Sequence, residues 1–407
     1  MRVLHLTTEF PWPATSGGTV RTVSQLKILS SLDEVLGITT LSVAEHDVSS
    51  ETLATFAENV PKLRVEPPVF HPVHLFDFKR YVPRVVGLRA LGVPYLAAKW
   101  DSPKLRDKIL RALAGGMDVA YVDHLGMARY LADIRRARPK CRIVLDQHNV
   151  ESDFFGQFAE KKRGPKGLAA RAEHKAATRF EIETMRAVDA VVAISREDAV
   201  RFERMAGVSP TLVPVVMNFE RRVWKASGAP RFCYVGNLRW HPNVAGLDWF
   251  CQKVWPLVRA RLPNATFEIA GVGLKPDASG RLPVPETWRG AGIETIGFMK
   301  DLEPLYARSI AMISPVFGGS GVRMKLLEGF RAGVPVVTTP DGAFGLPIED
   351  GREALVASDP EPFAERVERM AKDASLREKI ASAGYAYLEA HHSLAVAQKS
   401  MRNVLGL

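Results

Sequence analysis

The segment Gly318-Gly319-Ser320-Gly321-Val322-Arg323-Met324-Lys325-Leu326-Leu327-Glu328 gathers the residue types that hold a phosphate chain and the ribose beside it. Glycines let main-chain N–H groups come close to an anion, and a helix that starts just after them turns partial positive charge toward it. Arg323 and Lys325 add two full charges at that helix start. Glu328, one turn on, stands where a carboxylate can accept hydrogen bonds from neighbouring ribose hydroxyls. Together these fit a nucleoside diphosphate. A plainer account also fits, in which Lys325 and Glu328 form an i,i+3 surface pair worth a few tenths of a kcal/mol and the glycines only make a turn.

Three places in the first half carry a similar signal. Gly17 and Gly18 follow the first strand-like run and precede a helix with apolar residues at Val20, Val23, Leu26 and Leu29. Such a glycine pair can admit phosphate or sugar, and can equally be a simple turn. His124 comes just past a strand, at the edge where ligands of open α/β sheets collect, or else is a capped or solvated histidine. In Asp146-Gln147-His148-Asn149-Val150-Glu151, the side chains of Gln147, His148 and Asn149 suit acceptor binding or the shaping of a cleft, and equally a turn with an Asn cap. Ser195-Arg196-Glu197 reads as a helix cap.

These residues need strands and helices to place them. Short β-branched runs alternate with longer amphipathic stretches throughout, the mark of parallel α/β layers. Strands are expected at 3–7, 35–43, 119–122, 143–146, 189–194 and 211–216, then at 232–235, 266–270, 294–297, 310–314, 334–338 and 354–356. Two sheets of about six strands follow. The aperiodic stretch 218–230 is the expected linker, and helices are expected at 362–372 and 376–389 with a helical tail from Ser393. The domain boundaries drawn from this are 1–219, 220–390, and a tail 391–407 that can cross back to the first domain.

Composition agrees with that plan. A chain of 407 residues exceeds one ordinary folding unit, and 46% hydrophobic with 25% charged residues excludes a disordered or collagen-like protein. Cys141, Cys233 and Cys251 are far apart with no C-x-x-C, so neither a disulfide framework nor a zinc site is expected, and a reducing compartment fits. The first residues lack signal-peptide features, and no run approaches the roughly 20 apolar residues of a membrane span. A formal charge of +10 suits nucleic acid, anionic lipid or a phosphorylated substrate. Basic His71, His74, Lys79, Arg80, Arg84 and Arg89 interleave with Phe70, Phe76, Phe78 and Tyr81, which suits an anionic membrane surface or a solvated face over core aromatics.

Five blocks in the second half, in order, carry a family resemblance. They are Phe232-Cys233-Tyr234-Val235-Gly236-Asn237-Leu238-Arg239-Trp240-His241-Pro242-Asn243, Val254-Trp255-Pro256-Leu257, Ile269-Ala270-Gly271-Val272-Gly273, Ile296-Gly297-Phe298-Met299-Lys300-Asp301-Leu302, and Lys325-Leu326-Leu327-Glu328 through Pro335-Val336-Val337-Thr338-Thr339. The series resembles the nucleotide-binding domain of retaining, family-four-like glycosyltransferases (glycosyl transferases group 1), in particular an exopolysaccharide-type subgroup. The fold this implies is α/β, with two doubly wound Rossmann-like domains facing a cleft (GT-B). The resemblance gives Glu328 the ribose hydroxyls and Arg323 with Lys325 the diphosphate. It sets Gly236, Asn237, Ser320 and Gly321 beside the donor, and the backbone of Gly297, Phe298 and Met299 at the base. Gly17 and Gly18 would approach the donor from the other domain, and His124 takes the place of the histidine that contacts the transferred sugar. Two departures stand out: Ser320 replaces the first of a glutamate pair, and Pro242-Asn243 replaces a phosphate-binding lysine-glycine pair, whose charge Arg323 and Lys325 would restore.

The resemblance implies a cytoplasmic enzyme, peripheral at the inner face of the membrane if its acceptor is lipid-linked. It would move a hexose-type sugar from a nucleotide diphosphate sugar to a hydroxyl of a glycan, glycolipid or small molecule. No cofactor or metal is expected; the chemistry implied is front-side attack, with the departing phosphate oxygen taking the acceptor proton. A sugar-nucleotide epimerase on the same fold is the nearest alternative. A non-catalytic basic protein for membrane or nucleic acid is another, although stacking-aromatic modules and zinc spacings are absent and no nucleic acid partner is expected.

Overall fold

The structure, a computed structural model, describes the backbone of all residues except Thr15, 73–81, 161–162, 222–228, 277–281 and 319–321; the side chains of 82–84, 154, 157 and 158 are also left aside. The described chain forms two compact units, Met1–Val216 with Leu394–Leu407, and Met217–Ser393.

In the first unit the strands are β1 (Arg2–Thr7), β2 (Gly37–Ala44), β3 (Leu63–Val65), β4 (Val69–Phe70), β5 (Val119–Asp123), β6 (Arg142–Gln147), β7 (Ala190–Ala193) and β8 (Thr211–Leu212). They run in the order β3-β2-β1-β5-β6-β7-β8, with β4 on β2, and every pairing is parallel. Side chains alternate across this sheet, so each strand feeds two cores. Leu4, Leu6, Ala120, Val122, Ile143 and Leu145 enter one core. Val3, Val119, Tyr121 and Val144 enter the other, where the helices Gly17–Ser30 and Leu394–Leu405 supply Leu26, Leu29, Ala397, Met401 and Val404. The helix Leu394–Leu405 thus belongs to the first unit although it ends the chain. Just before it, His392 accepts a hydrogen bond at its carbonyl from Met217 N (3.1 Å), pinning together the two places where the chain passes between units.

The second unit holds β9 (Arg231–Val235), β10 (Thr266–Ala270), β11 (Ile293–Gly297), β12 (Ala311–Ser314), β13 (Val336–Thr338) and β14 (Leu355–Val356). Their order, β11-β10-β9-β12-β13-β14, is that of a doubly wound Rossmann sheet. Phe232, Tyr234, Phe267, Ile269, Ala311 and Ile313 pack on Phe250, Trp255 and Phe363.

Some expectations needed adjustment. The first sheet has eight strands, because β3 and β4 are too short to leave an alternating pattern. The strand expected at 211–216 stops at Leu212, two residues before Pro214, whose missing N–H cannot serve a ladder. The run 334–338 likewise enters the sheet only at Val336, after Pro335. Of the expected linker 218–230, residues 222–228 lie outside the described residues.

Candidate functional site

Both sheets change winding direction once, between β1 and β5 in the first unit and between β9 and β12 in the second. Beyond the carboxyl ends of such neighbouring strands the connections diverge and leave a crevice. The chemistry-bearing residues of each unit gather at that place.

In the first unit Asp123 ends β5 with its side chain fully buried. Four elements converge on this carboxylate. Thr22, in the helix Gly17–Ser30, donates to Oδ2 at 2.5 Å, and His5 Nε2 from β1 lies 3.6 Å from the same oxygen. His148 Nε2, just past β6, lies 2.6 Å from Oδ1, and His124 Nδ1 lies 3.2 Å from it. The rings of His124 and His148 are 3.8 Å apart between centroids. His124 has φ +77°, a region that non-glycine residues seldom occupy and that often marks a functional position. Burial opposes charge on His124, but Asp123, helped by Glu151 and Glu9, outweighs it and raises the imidazole to about 9. His148 is pushed the other way, by burial and then by the charge on His124. Asp123 is held well below the usual carboxylate range: burial opposes its charge and the two histidines more than offset that. The site therefore holds an imidazolium, a carboxylate and a neutral imidazole.

Among the described residues, Asp123, His124 and His148 are the group whose ligand atoms, all within 4.8 Å of one another, could meet on a metal ion. Asp123 Oδ1, His124 Nδ1 and His148 Nε2 are in close charge contact without well-aligned hydrogen bonds, and their spacing is too tight for a shared ion. Two ligands of one tetrahedral zinc stand about 3.3 Å apart, from metal–ligand bonds of about 2.0 Å, whereas Asp123 and His148 are 2.6 Å apart.

Gly17 and Gly18 open the helix whose N-cap Ser16 accepts from Thr19 N, while Thr19 Oγ1 accepts from Ser16 N (2.9 Å). A side chain at Gly18 would come within 3.4 Å of the Glu9 carboxylate, so this turn borders the His124 cluster. Gln147 is fully buried and donates to Glu181 Oε1 (3.1 Å), and the same carboxylate accepts from Glu151 N and Ser152 N at the next helix start. Gln147 is thus engaged inside the unit, His148 is buried against Asp123, and Asn149 is half-buried. Ser195 caps its helix, accepting from Asp198 N (3.0 Å).

In the second unit Lys325 lies in the first turn of the helix Met324–Ala332, which no side chain caps. Its ammonium donates to Tyr234 Oη (2.7 Å) from β9 and to Asn243 Oδ1 (2.6 Å), and sits 4.3 Å from the Tyr234 ring centre. Gly236, just past β9, borders it: an added Cβ would lie 2.9 Å from Lys325 Cε. Asn237 accepts from Arg239 N at its side chain and from Asn243 Nδ2 at its carbonyl. Desolvation, then the charge of Arg323, lower the Lys325 ammonium to about 7.

Arg323 is nearly buried, donating from Nε to Asp341 O (2.8 Å) and from Nη2 to Gly318 O (2.9 Å). Its bonds tie Gly318 to Asp341 as well as placing a charge before the helix. Glu328 pairs with Arg331 through two hydrogen bonds, 2.9 and 2.6 Å, so the surface pair between Lys325 and Glu328 is not the arrangement seen. At the end of β11, Gly297 has φ +82°, Phe298 is 65% exposed and Met299 is half-buried. Ser320 and Gly321 lie outside the described residues. So do Lys79, Arg80 and the side chain of Arg84; Arg89 is tied to Glu173 (2.5 Å), and His71 is buried.

Sequence reasoning passed over Asp123, His5 and Tyr234, the groups that hold His124 and Lys325. The available signal was a polar residue inside an apolar parallel strand, where both faces are covered and such a group needs a partner.

Residues 229–373, which lie within the second unit, match the family described as Glycosyl transferases group 1. A curated Klebsiella pneumoniae protein, described as an uncharacterized 44.6 kDa protein in cps region, is 26% identical over 185 residues, 45% of this chain. The match spans about half of that relative's length, 47%. Among solved structures, HepE from Anabaena in complex with UDP-glucose is 16% identical with a TM-score of 0.64 over 100% of both chains. A mutant of S. aureus TarM in complex with fondaparinux, α-GlcNAc-glycerol and UDP is 9% identical with a TM-score of 0.69 over 100% of both chains. Sucrose-phosphate synthase from Thermosynechococcus elongatus is 11% identical with a TM-score of 0.64, over 99% of this chain and 98% of that one. At these identities the likeness is one of fold: two doubly wound units, the GT-B architecture.

The Lys325 environment predicts a pH-dependent stability. Lysine titrates near 10.4 in an unfolded chain and at about 7 here, so between those values the unfolded state binds more protons and stability rises with pH. Lys325→Met removes that dependence. Its unfolding free energy relative to wild type should gain steadily as pH falls from about 10 to about 7 and level off below, as read from urea midpoints. A difference independent of pH would contradict the buried-ammonium assignment.

Proposed function

We propose that this chain is a retaining glycosyltransferase that moves a sugar from a nucleotide diphosphate sugar to a hydroxyl on a growing glycan or glycolipid. The observation that carries the reading is the Lys325 ammonium, held between Tyr234 and Asn243 at the winding reversal of the second unit, beside Gly236 and an uncapped helix start. An ammonium with so few anionic neighbours suits an arriving diphosphate. Asn243 stands where the family often has a phosphate-binding pair, and Lys325 brings its charge to that asparagine. The group 1 match over residues 229–373, the UDP-glucose complex of HepE and the cps-region relative support the same chemistry.

In this reading the diphosphate rests on Lys325, Arg323, Gly236, Asn237 and the loop that includes Ser320 and Gly321. Glu328 takes the ribose hydroxyls, and Gly297, Phe298 and Met299 border the base. Charge builds on the diphosphate as the glycosidic bond breaks, so positive groups fixed there lower the barrier. The leaving phosphate oxygen takes the acceptor proton, and Lys325 and Arg323 meet its charge without a metal. Gly17, Gly18 and His124 serve the sugar end of the donor, and the turn at Asn149 shapes the acceptor side.

Four variants test these roles by calorimetry with UDP and by turnover with a nucleotide-sugar panel. Arg323→Ala and Lys325→Ala should each weaken UDP binding by about 1.5–3 kcal/mol, the worth of a charge-assisted contact. Glu328→Gln should lower turnover with the fold intact, and His124→Ala should lower turnover far more than UDP affinity. Unchanged affinity in the first two would remove the phosphate assignment. Conversion of a donor with no acceptor present would favour the epimerase.

We also propose that the enzyme acts in the cytoplasm, held at an anionic membrane surface by the basic segment around Lys79, Arg80 and Arg84. No helix among the described residues is long and apolar enough to cross a membrane, while Phe70 and Val86 are more than half exposed. Each basic residue near an anionic surface contributes about 1 kcal/mol, so changing all three to Gln should abolish co-sedimentation with anionic vesicles at low salt and leave UDP binding intact. Failure of the wild type to co-sediment would point to a soluble acceptor.

A further inference from the structure

Resting on that reading, we infer that Asp123 is a positioning residue: it fixes His124 in one orientation, with its remaining imidazole N–H offered to the substrate, while His148 serves as the stacked partner behind it and not as an acceptor ligand. The geometry distinguishes this from an ordinary buried carboxylate. Asp123 ends β5 with no exposure, and its two oxygens divide their partners. Oδ2 is held by Thr22 and approached by His5, while Oδ1 lies within 3.2 Å of both His124 and His148. His5 is itself anchored, its Nδ1 3.0 Å from Thr40 Oγ1. The carboxylate is thereby fixed from β1 and from the helix Gly17–Ser30, and it fixes the two histidines that leave β5 and β6.

His124 departs from the sheet with positive φ, a conformation that costs energy for a side-chain-bearing residue and lasts only when its surroundings impose it. With Nδ1 against Asp123, Nε2 is the ring nitrogen left for a substrate. A buried carboxylate at Nδ1 fixes a histidine's tautomer and favours its protonated form. The charged or titratable groups facing His124 are Asp123 at the end of β5, Glu9 in the loop after β1, Glu151 at the next helix start, and His148. Three of the four are acidic, and the fourth is disfavoured as a cation because His124 already is one. Asp146, one strand over, acts on His148 and is occupied by Arg21 (2.6 Å) and Tyr121 (2.9 Å). The outcome is a permanent N–H donor across neutral pH, suited to a sugar hydroxyl or a phosphate oxygen and unsuited to work as a general base.

The test is an NMR titration of the histidine ring protons in the full chain, with His124 assigned by comparison with His124→Gln. Wild type should show His124 titrating near 9 and His148 below the ordinary histidine value. Asp123→Asn should lower the proton affinity of His124 by about 100-fold or more, toward the ordinary value near 6.5, leave UDP affinity unchanged, and bring the alkaline limb of turnover down with it. His148→Gln keeps a donor for Oδ1 and should keep His124 titrating well above neutrality. It provides the test should Asp123→Asn not fold. A wild-type His124 that titrates at or below about 6.5, or one indifferent to loss of the Asp123 charge, would overturn the inference. Because the titration needs no turnover, a failure of the glycosyltransferase reading would appear separately, as a correctly titrating His124 in a protein that uses no nucleotide sugar.

Discussion

A single ammonium, withdrawn from water, organises the second unit. Lys325 has three N–H donors and, among the described residues, two neutral acceptors, Tyr234 Oη and Asn243 Oδ1, with a second cation nearby. Burying a charge without a counter-ion is costly, and proteins usually pair it or neutralise it. The surrounding structure maintains the arrangement. β9 delivers Tyr234, Gly236 leaves room for the lysine stem, and Arg323 donates to the carbonyls of Gly318 and Asp341 beside the helix start. Such a site has an unmet demand for negative charge, which a nucleoside diphosphate would meet in the proposed reading. The rest of the donor assignment follows from where that diphosphate would then lie.

The first unit solves the complementary problem. There the buried group is an anion, Asp123: Thr22 donates to one of its oxygens, and two imidazoles lie in charge contact with the other. The two sites share an origin in sheet topology. Every strand of a parallel sheet points its carboxyl end to the same edge, and the reversal of winding opens a crevice there. Residues one or two positions past a strand, such as His124, His148 and Gly236, are held by the ladder yet reach that crevice. A rigid sheet can in this way fix groups on loops to within the tolerance that chemistry needs.

Much of this was legible in the sequence, and the limits have physical causes. Strands such as Arg2–Thr7, Thr266–Ala270 and Ala311–Ser314 are buried on both faces and declare themselves as apolar runs between turns. The stretches Leu63–Val65 and Val69–Phe70 form strands because β2 offers them a partner edge, information that lies outside their own residues. Arg323, Lys325, His124 and the glycines could be singled out because they stand at strand-to-helix turns, the edge where ligands of α/β sheets collect. What sequence could not supply was the pairing: that Lys325 reaches Asn243 and Tyr234 across 82 and 91 residues, or that Glu328 commits its carboxylate to Arg331. The role of Asp123 emerges only in the fold, which brings Thr22, His5 and His148 around it.

The central claim, that a desolvated lysine awaits a diphosphate, is most directly tested by counting protons as the nucleotide binds. Calorimetric titration of the full chain with UDP, GDP and ADP at pH 8, in buffers of different ionisation enthalpy, reads proton exchange independently of affinity. With Lys325 near 7 when empty and raised by the arriving charge, the account predicts uptake of close to one proton, about 0.9, per bound nucleotide at that pH, falling toward zero at pH 6. Binding with no proton uptake, or no binding by any of the three, would contradict it.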